Sequence, residues 1–213
     1  MLMKKMLLLG TITLIFLSAF SQKQLKIGKQ VWMVENLNVY TFKNGDSIPQ
    51  AKTTEEWMQA GENLQPAWCY YDNDSSNGTK LGKLYNFYAV SDPRGLAPKG
   101  YNIPSDADWS MLTNFLGGEK KAGKKMKSIS GWDLDSINNG NGNNSSGFEG
   151  LPAGFRRYNG SFFKKGLCGI WWSKTEGESN YSWSRFLSNA NDFVDRHGDC
   201  KRMAGLSVRC LKD

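Results

Sequence analysis

Ser105-Asp106-Ala107-Asp108-Trp109-Ser110-Met111-Leu112-Thr113-Asn114-Phe115-Leu116-Gly117-Gly118 is the stretch on which the reading of the fold turns. Ser105 and Asp108 have the spacing of a capping box, and Trp109, Leu112, Phe115 and Leu116 recur on one face at the helical period. The glycine pair stops the helix. Beyond a weaker helical turn over 122–128 and an Asn/Gly/Ser-rich loop over 132–147, the texture is all strand. Runs at 155–158, 169–173, 181–187, 192–195 and 206–211 are separated by Gly160, Gly177, Asn180, Gly198 and Gly205 at hairpin-like intervals. Helices followed by an antiparallel meander make an α+β plan.

Working toward the N-terminus, 26–38 is rich in β-branched and aromatic residues and reads as one mostly buried strand. Thr53 or Thr54 caps a short helix through Trp57 that Gly61 ends, with Glu55 and Glu56 in its first turn, where carboxylates suit the helix dipole. Ala67-Trp68-Cys69-Tyr70-Tyr71 reads as strand, 72–78 as turn, and Leu84, Tyr85, Phe87, Tyr88 and Val90 have helical spacing. Aromatics make up 13% of the chain, including eight tryptophans, so the expected core is built from rings. No internal repeat is present.

Residues 1–21 hold Lys4 and Lys5 and then a short apolar run with Ala19 and Ser21 at its end, the pattern of a signal peptide cut before Gln22. The chain is therefore expected to be exported, to the periplasm, the cell surface or the medium, as one domain over 22–213 with no membrane span after cleavage. Losing Lys4 and Lys5 leaves 25 basic residues against 20 acidic ones, lowering the net charge from +7 to +5. That is ordinary for a soluble surface. Lys120, Lys121, Lys124, Lys125 and Lys127 read as the solvated face of a short helix. Without a basic stripe interleaved with aromatics, nucleic acid is not an expected partner.

The four cysteines, Cys69, Cys168, Cys200 and Cys210, form no C-x-x-C pair. In an oxidising compartment two disulfides are expected rather than a zinc site. Of three connectivities the nested one, Cys168 with Cys200 and Cys69 with Cys210, is preferred, each bond worth about 2–4 kcal/mol.

Catalytic chemistry is sparse. His197 is the only histidine and, between Arg196 and Gly198, reads as a polar turn residue. No nucleophile elbow or phosphate loop is present. Glu149, Glu176, Glu178 and Asp192 are carboxylates that glycoside hydrolysis could use, but no spacing brings two of them together. Among metals, calcium best suits the oxygen-rich stretches Asp72-Asn73-Asp74 and Asp133, Asp135, Asn138, Asn139. Neither matches an EF-hand loop, turn chemistry accounts for both, and no cofactor is expected. Trp171 and Trp172 are adjacent, so in a strand they face opposite ways and at least one belongs to the core. Tyr158, Phe162, Phe163 and Trp183 lie next to turns, and Tyr158, Phe162 and Trp183 are the candidate ligand surface.

Several segments resemble one family. They are Ile27-Gly28-Lys29-Gln30-Val31-Trp32-Met33-Val34-Glu35-Asn36-Leu37, Trp68-Cys69-Tyr70-Tyr71, Gly82-Lys83-Leu84-Tyr85-Asn86-Phe87-Tyr88-Ala89-Val90 and Pro98-Lys99-Gly100-Tyr101-Asn102-Ile103-Pro104-Ser105. To these are added Gly147-Phe148, Leu151-Pro152-Ala153-Gly154-Phe155-Arg156, Trp171-Trp172-Ser173-Lys174-Thr175 and Leu206-Ser207-Val208-Arg209-Cys210. In order along nearly the whole mature chain, they are similar to the Fibrobacter succinogenes major paralogous domain of exported proteins. The resemblance implies a C-type-lectin-like fold with two main short helices, a long loop and a twisted antiparallel sheet, and it brings no established activity.

Three departures from the family matter. The short segment before Ile27 puts a first edge strand in doubt. Tyr101-Asn102 replaces a tryptophan and histidine, and Cys168 and Cys200 stand where aromatic or polar residues are usual. The expectation is a non-catalytic binding module for a glycan or an envelope protein, acting through the 132–147 loop and nearby strand ends. The alternatives are a carboxylate-dependent glycan enzyme, a relative of formylglycine-generating enzymes, or a structural envelope component.

Overall fold

In the computed structural model, which describes residues 23–134 and 140–213, both helix caps read from the sequence are in place. The signal-peptide reading of 1–21 lies outside the described residues, as do Asp135, Asn138 and Asn139 of the second oxygen-rich cluster. The chain opens with a hairpin where one strand was expected: β1 (Gln24–Ile27) and β2 (Gln30–Met33) pair antiparallel across Gly28-Lys29. Gly28 takes φ +60°, the left-handed geometry such a two-residue turn needs at its first position. The doubted first edge strand is therefore present. α1 (Thr54–Glu62) starts from the capping box of Thr53 and Glu56 and runs through Gly61, whose missing side chain leaves room for Met203.

β3 (Trp68–Cys69) leads into a 3-10 turn over Tyr71–Asn73 and α2 (Ser76–Leu81), which overlap the 72–78 stretch expected to be turn only. The segment with helical spacing divides into β4 (Leu84–Tyr85), paired with β3, and the single turn α3 (Phe87–Val90), capped by Asn86. After β5 (Tyr101–Asn102) come α4 (Asp106–Phe115), with the Ser105/Asp108 capping box, and α5 (Glu119–Met126). β6 (Phe155–Arg156) and β7 (Phe162–Phe163) form a small hairpin. They are followed by β8 (Cys168–Glu176), β9 (Tyr181–Ser188), β10 (Asp195–Lys201) and β11 (Leu211–Lys212). The C-terminal segment is thus no continuous meander: β8, β9 and β10 make one antiparallel sheet, whereas β11 joins another in the order β1-β2-β11-β5. The described molecule is a mixed α/β protein of short helices and several small antiparallel sheets.

The sheet of β8, β9 and β10 separates two cores. Cys168 to Ser173 are buried without interruption because both faces of β8 are covered. Trp172 faces a core with Trp68, Tyr85, Phe87 and Leu206, while Trp171 faces a second with Trp32, Trp109, Phe148 and Leu187. Both tryptophans are therefore core, one on each side. Their indoles are anchored too, Trp171 Nε1 donating to Asn36 Oδ1 at 2.8 Å and Trp172 Nε1 to the Tyr85 carbonyl at 2.7 Å. A third core gathers Trp57, Cys69, Tyr71 and Leu84.

Phe115 departs from the expected buried face and is 64% exposed. At about 100° per residue, Trp109 and Leu116 fall on one side of Leu112 and Phe115 on the other. The core takes the first side, and the Phe115 ring lies over Gly28 at the hairpin turn.

All four cysteines are free thiols, which corrects the disulfide expectation. Cys168 is paired with Ser188 and Cys200 with Ser182, six residues apart on β9. At about 3.3 Å per residue this is roughly 20 Å, far beyond the ~7 Å between Cα atoms that a disulfide spans. Cys69 points from β3 into the third core, whereas Trp68 beside it and Cys210 belong to the first, so that pair is separated by the strand itself.

Candidate functional site

An open cleft of about 740 Å³ lies on the β8–β9–β10 sheet, on the face opposite Trp171. Its floor is apolar: Ile170 from β8, Phe186 from β9, Leu206, and Phe155 from the β6–β7 hairpin that forms one wall. β10 forms the other wall with Asp195, His197, Asp199, Cys200 and Lys201. Tyr158, 46% exposed, stands at the rim with Lys201 Nζ 3.7 Å above its ring centroid. No described residue of the 132–147 loop lines the cleft. That loop instead packs by Trp132, whose indole donates to Ser128 Oγ and the Gly150 carbonyl at 3.1 Å each.

The three residues assigned to a ligand surface do not line one cleft. Only Tyr158 reaches the cleft. Phe162 is a structural ring: together with Trp57 it sandwiches the buried Arg156 guanidinium, each centroid 4.7 Å away. Arg156 in turn donates to the carbonyls of Ala51, Thr53 and Gly160. Trp183 follows strand alternation away from Ser184, a cleft residue, and packs beneath Arg196 at 3.8 Å. Arg196 and the buried Arg185 both grip Asp106 at the start of α4, at 2.8 and 2.7 Å. Burial works against the Asp106 carboxylate, but the hydrogen bonds from Arg196 and Arg185 prevail and hold it below its ordinary pKa.

His197 is a strand residue rather than a turn residue, set edge-on to Phe186 with centroids 5.8 Å apart and Nδ1 3.6 Å from Asp199 Oδ1. Cys200 shares the cleft, yet burial pushes its thiol up to about 12, so it holds its proton at neutral pH. The four carboxylates weighed for hydrolysis stand apart. Glu149 accepts from Asn144, Glu176 from Arg202 at 2.7 Å, and Asp192 pairs with Lys127 at 3.4 Å, while Glu178 is exposed. Asp72 and Asn73 adopt left-handed backbone, and the Asp74 carboxylate accepts from the Ser76 N–H and hydroxyl, which is turn chemistry. Among the described residues no group of three His, Cys, Asp or Glu side chains is placed to hold a metal ion, and no helix is long and apolar enough to cross a membrane.

Sequence reasoning missed the buried cations. Lys127, grouped with the solvated lysines, is buried, its Nζ donating to the carbonyls of Ser188 and Asn191 and lying 5.5 Å from the Trp132 centroid. Arg209 is wholly buried, bonding to Asn36 Oδ1 and to the carbonyls of Met33, Val34 and Phe148. Burial lowers its pKa to about 9, which leaves it charged at neutral pH. The signal available was the placement of Arg156 and Arg209 inside otherwise apolar motifs.

Short helices, several small antiparallel sheets and an open, partly aromatic cleft define a mixed α/β domain. The chain belongs to the Fibrobacter succinogenes major domain family, whose model matches residues 25–212. No curated protein and no solved structure gave a match to the chain.

Proposed function

We propose that this protein is an exported, non-catalytic binding module of C-type-lectin-like fold that holds a short saccharide in the cleft of the β8–β9–β10 sheet. The observation that carries the reading is the exposed Tyr158 ring at the rim of a cleft also lined by Phe155, Ile170 and Phe186. Aromatic faces beside polar side chains suit a pyranose, whose C–H face is apolar and whose hydroxyls are not. The scale of the cleft favours a saccharide over an envelope protein. A volume of about 740 Å³ is in the range of small-ligand sites. Export rests on the charged and apolar pattern of residues 1–21, and a mature N-terminus at Gln22 checks it. The fold assignment rests on the order of helices, loop and antiparallel sheet.

An enzymatic reading would draw on His197, Asp199 and Cys200, which share the cleft. The protonated thiol disfavours it. The test is a glycan array run with wild type and Tyr158→Ala, with and without EDTA. The expected result is saccharide binding that EDTA leaves unchanged and Tyr158→Ala removes, with the melting temperature retained. Absence of any saccharide ligand, or binding indifferent to Tyr158, overturns the reading.

A further inference from the structure

Resting on the saccharide reading above, we infer that the cleft selects a carboxylate-bearing sugar, a uronate, and that Arg157 is its anion receptor. The chain has seven arginines, and the guanidinium groups of the other six are spoken for. Arg94, Arg185, Arg196 and Arg202 bind carboxylates, and Arg156 and Arg209 bind buried carbonyls. Arg157 is the exception. Among the described residues its guanidinium has neither an ion pair nor a hydrogen bond, and it lines the cleft next to Tyr158.

Arg157 is nevertheless held. Its guanidinium carbon lies 3.7 Å from the Phe163 ring centroid, a cation–π contact that holds the group against the ring without using up its N–H donors in hydrogen bonds. A planar fork with five donors matches a carboxylate through two parallel hydrogen bonds, which a lysine cannot do. Two further cations line the cleft, and both also rest on rings rather than on acids: Lys201 on Tyr158 at 3.7 Å and Lys164 on Phe163 at 5.5 Å. The acidic residues of the cleft, Asp195 and Asp199, are both on β10, with Asp199 beside His197. The wall built by the β6–β7 hairpin is therefore cationic. It is the side toward which an acidic sugar stacked on Tyr158 directs its carboxylate.

The experiment is calorimetric titration of the protein with matched oligosaccharides of galacturonate and of neutral galactose, together with polyglutamate as an acidic peptide. Wild type, Arg157→Gln and Arg157→Lys are compared. The expected result is preference for the uronate that weakens as salt rises. Arg157→Gln is expected to lose about tenfold or more in affinity, with little recovery in Arg157→Lys and an unchanged melting temperature. If the neutral sugar binds equally well and Arg157→Gln has no effect, the carboxylate assignment falls while the saccharide reading stands. If neither sugar binds, both fall. If polyglutamate binds and the uronate does not, the receptor is one for acidic peptide and the inference is overturned.

Discussion

Lys83 shows how much of this molecule is decided by single cations inside aromatic surroundings. Its Nζ donates to the Asn38 carbonyl at 2.9 Å and to Asn38 Oδ1 at 2.5 Å, and the ring centroids of Trp68 and Tyr70 lie 4.6 and 5.0 Å away. No carboxylate pairs with it among the described residues, and burial lowers its pKa from 10.5 to about 8. Between those two pH values the unfolded chain holds a proton that the folded one has released, so this residue makes stability rise with pH. The buried thiols act in the opposite sense. Cys69, Cys168, Cys200 and Cys210 are each raised from 9.0 to about 12, so the folded protein keeps protons that the unfolded chain loses. Comparison with Lys83→Met cancels the cysteine contribution. The stability of wild type relative to Lys83→Met, measured by urea unfolding, is expected to increase from pH 8 to pH 10.5. A difference that stays flat with pH would show that the amine titrates as in water.

At the scale of elements, Asn36 ties together three segments remote in sequence. Its Oδ1 accepts from Trp171 on β8 and from Arg209 just before β11, and its Nδ2 donates to the Leu81 carbonyl at the end of α2. Asn36→Ala leaves the Trp171 indole and part of a buried guanidinium unpartnered, and is expected to destabilise the fold by about 3 kcal/mol in denaturant titration. The residues that made the family legible are these buried joints, which is why the sequence announced the scaffold more clearly than the site. Capping signals are local, so Thr53 and Ser105 were readable as helix starts. Short helices in turn-rich segments, such as Ser76–Leu81, have too few apolar residues to show a period, and tertiary packing decides them. Phe115 was misread because one helical face was assigned one neighbour, when the core covers only one side of it. Of the three rings read as a ligand surface, Tyr158 lines the cleft, whereas Phe162 and Trp183 have the same local texture and pack against buried or stacked cations. Arg157 went unnoticed because its distinction, a guanidinium with no hydrogen bond or ion pair among the described residues, exists only relative to the six arginines that have one.

For the molecule as a whole, the four cysteines are free thiols and supply no covalent bracing between the sheets. Three separate ring-built cores and buried cations hold the sheets together without it. Native protein is expected to react slowly with a thiol reagent and denatured, unreduced protein to yield four thiols per chain, as the four free cysteines require. Recovery of two or none after denaturation without reductant would restore a disulfide to the account. The placement of β11 has another consequence. Leu211 sits opposite Trp32 on one side and Asn102 on the other, so the last strand is the interior member of a sheet whose remaining strands come from the first half of the chain. A nascent polypeptide growing from its N-terminus exposes β2 and β5 long before the segment that bridges them has been made. Closure of that sheet must therefore wait until residues 211–212 have been made, and until then β2 and β5 lack the strand that joins them.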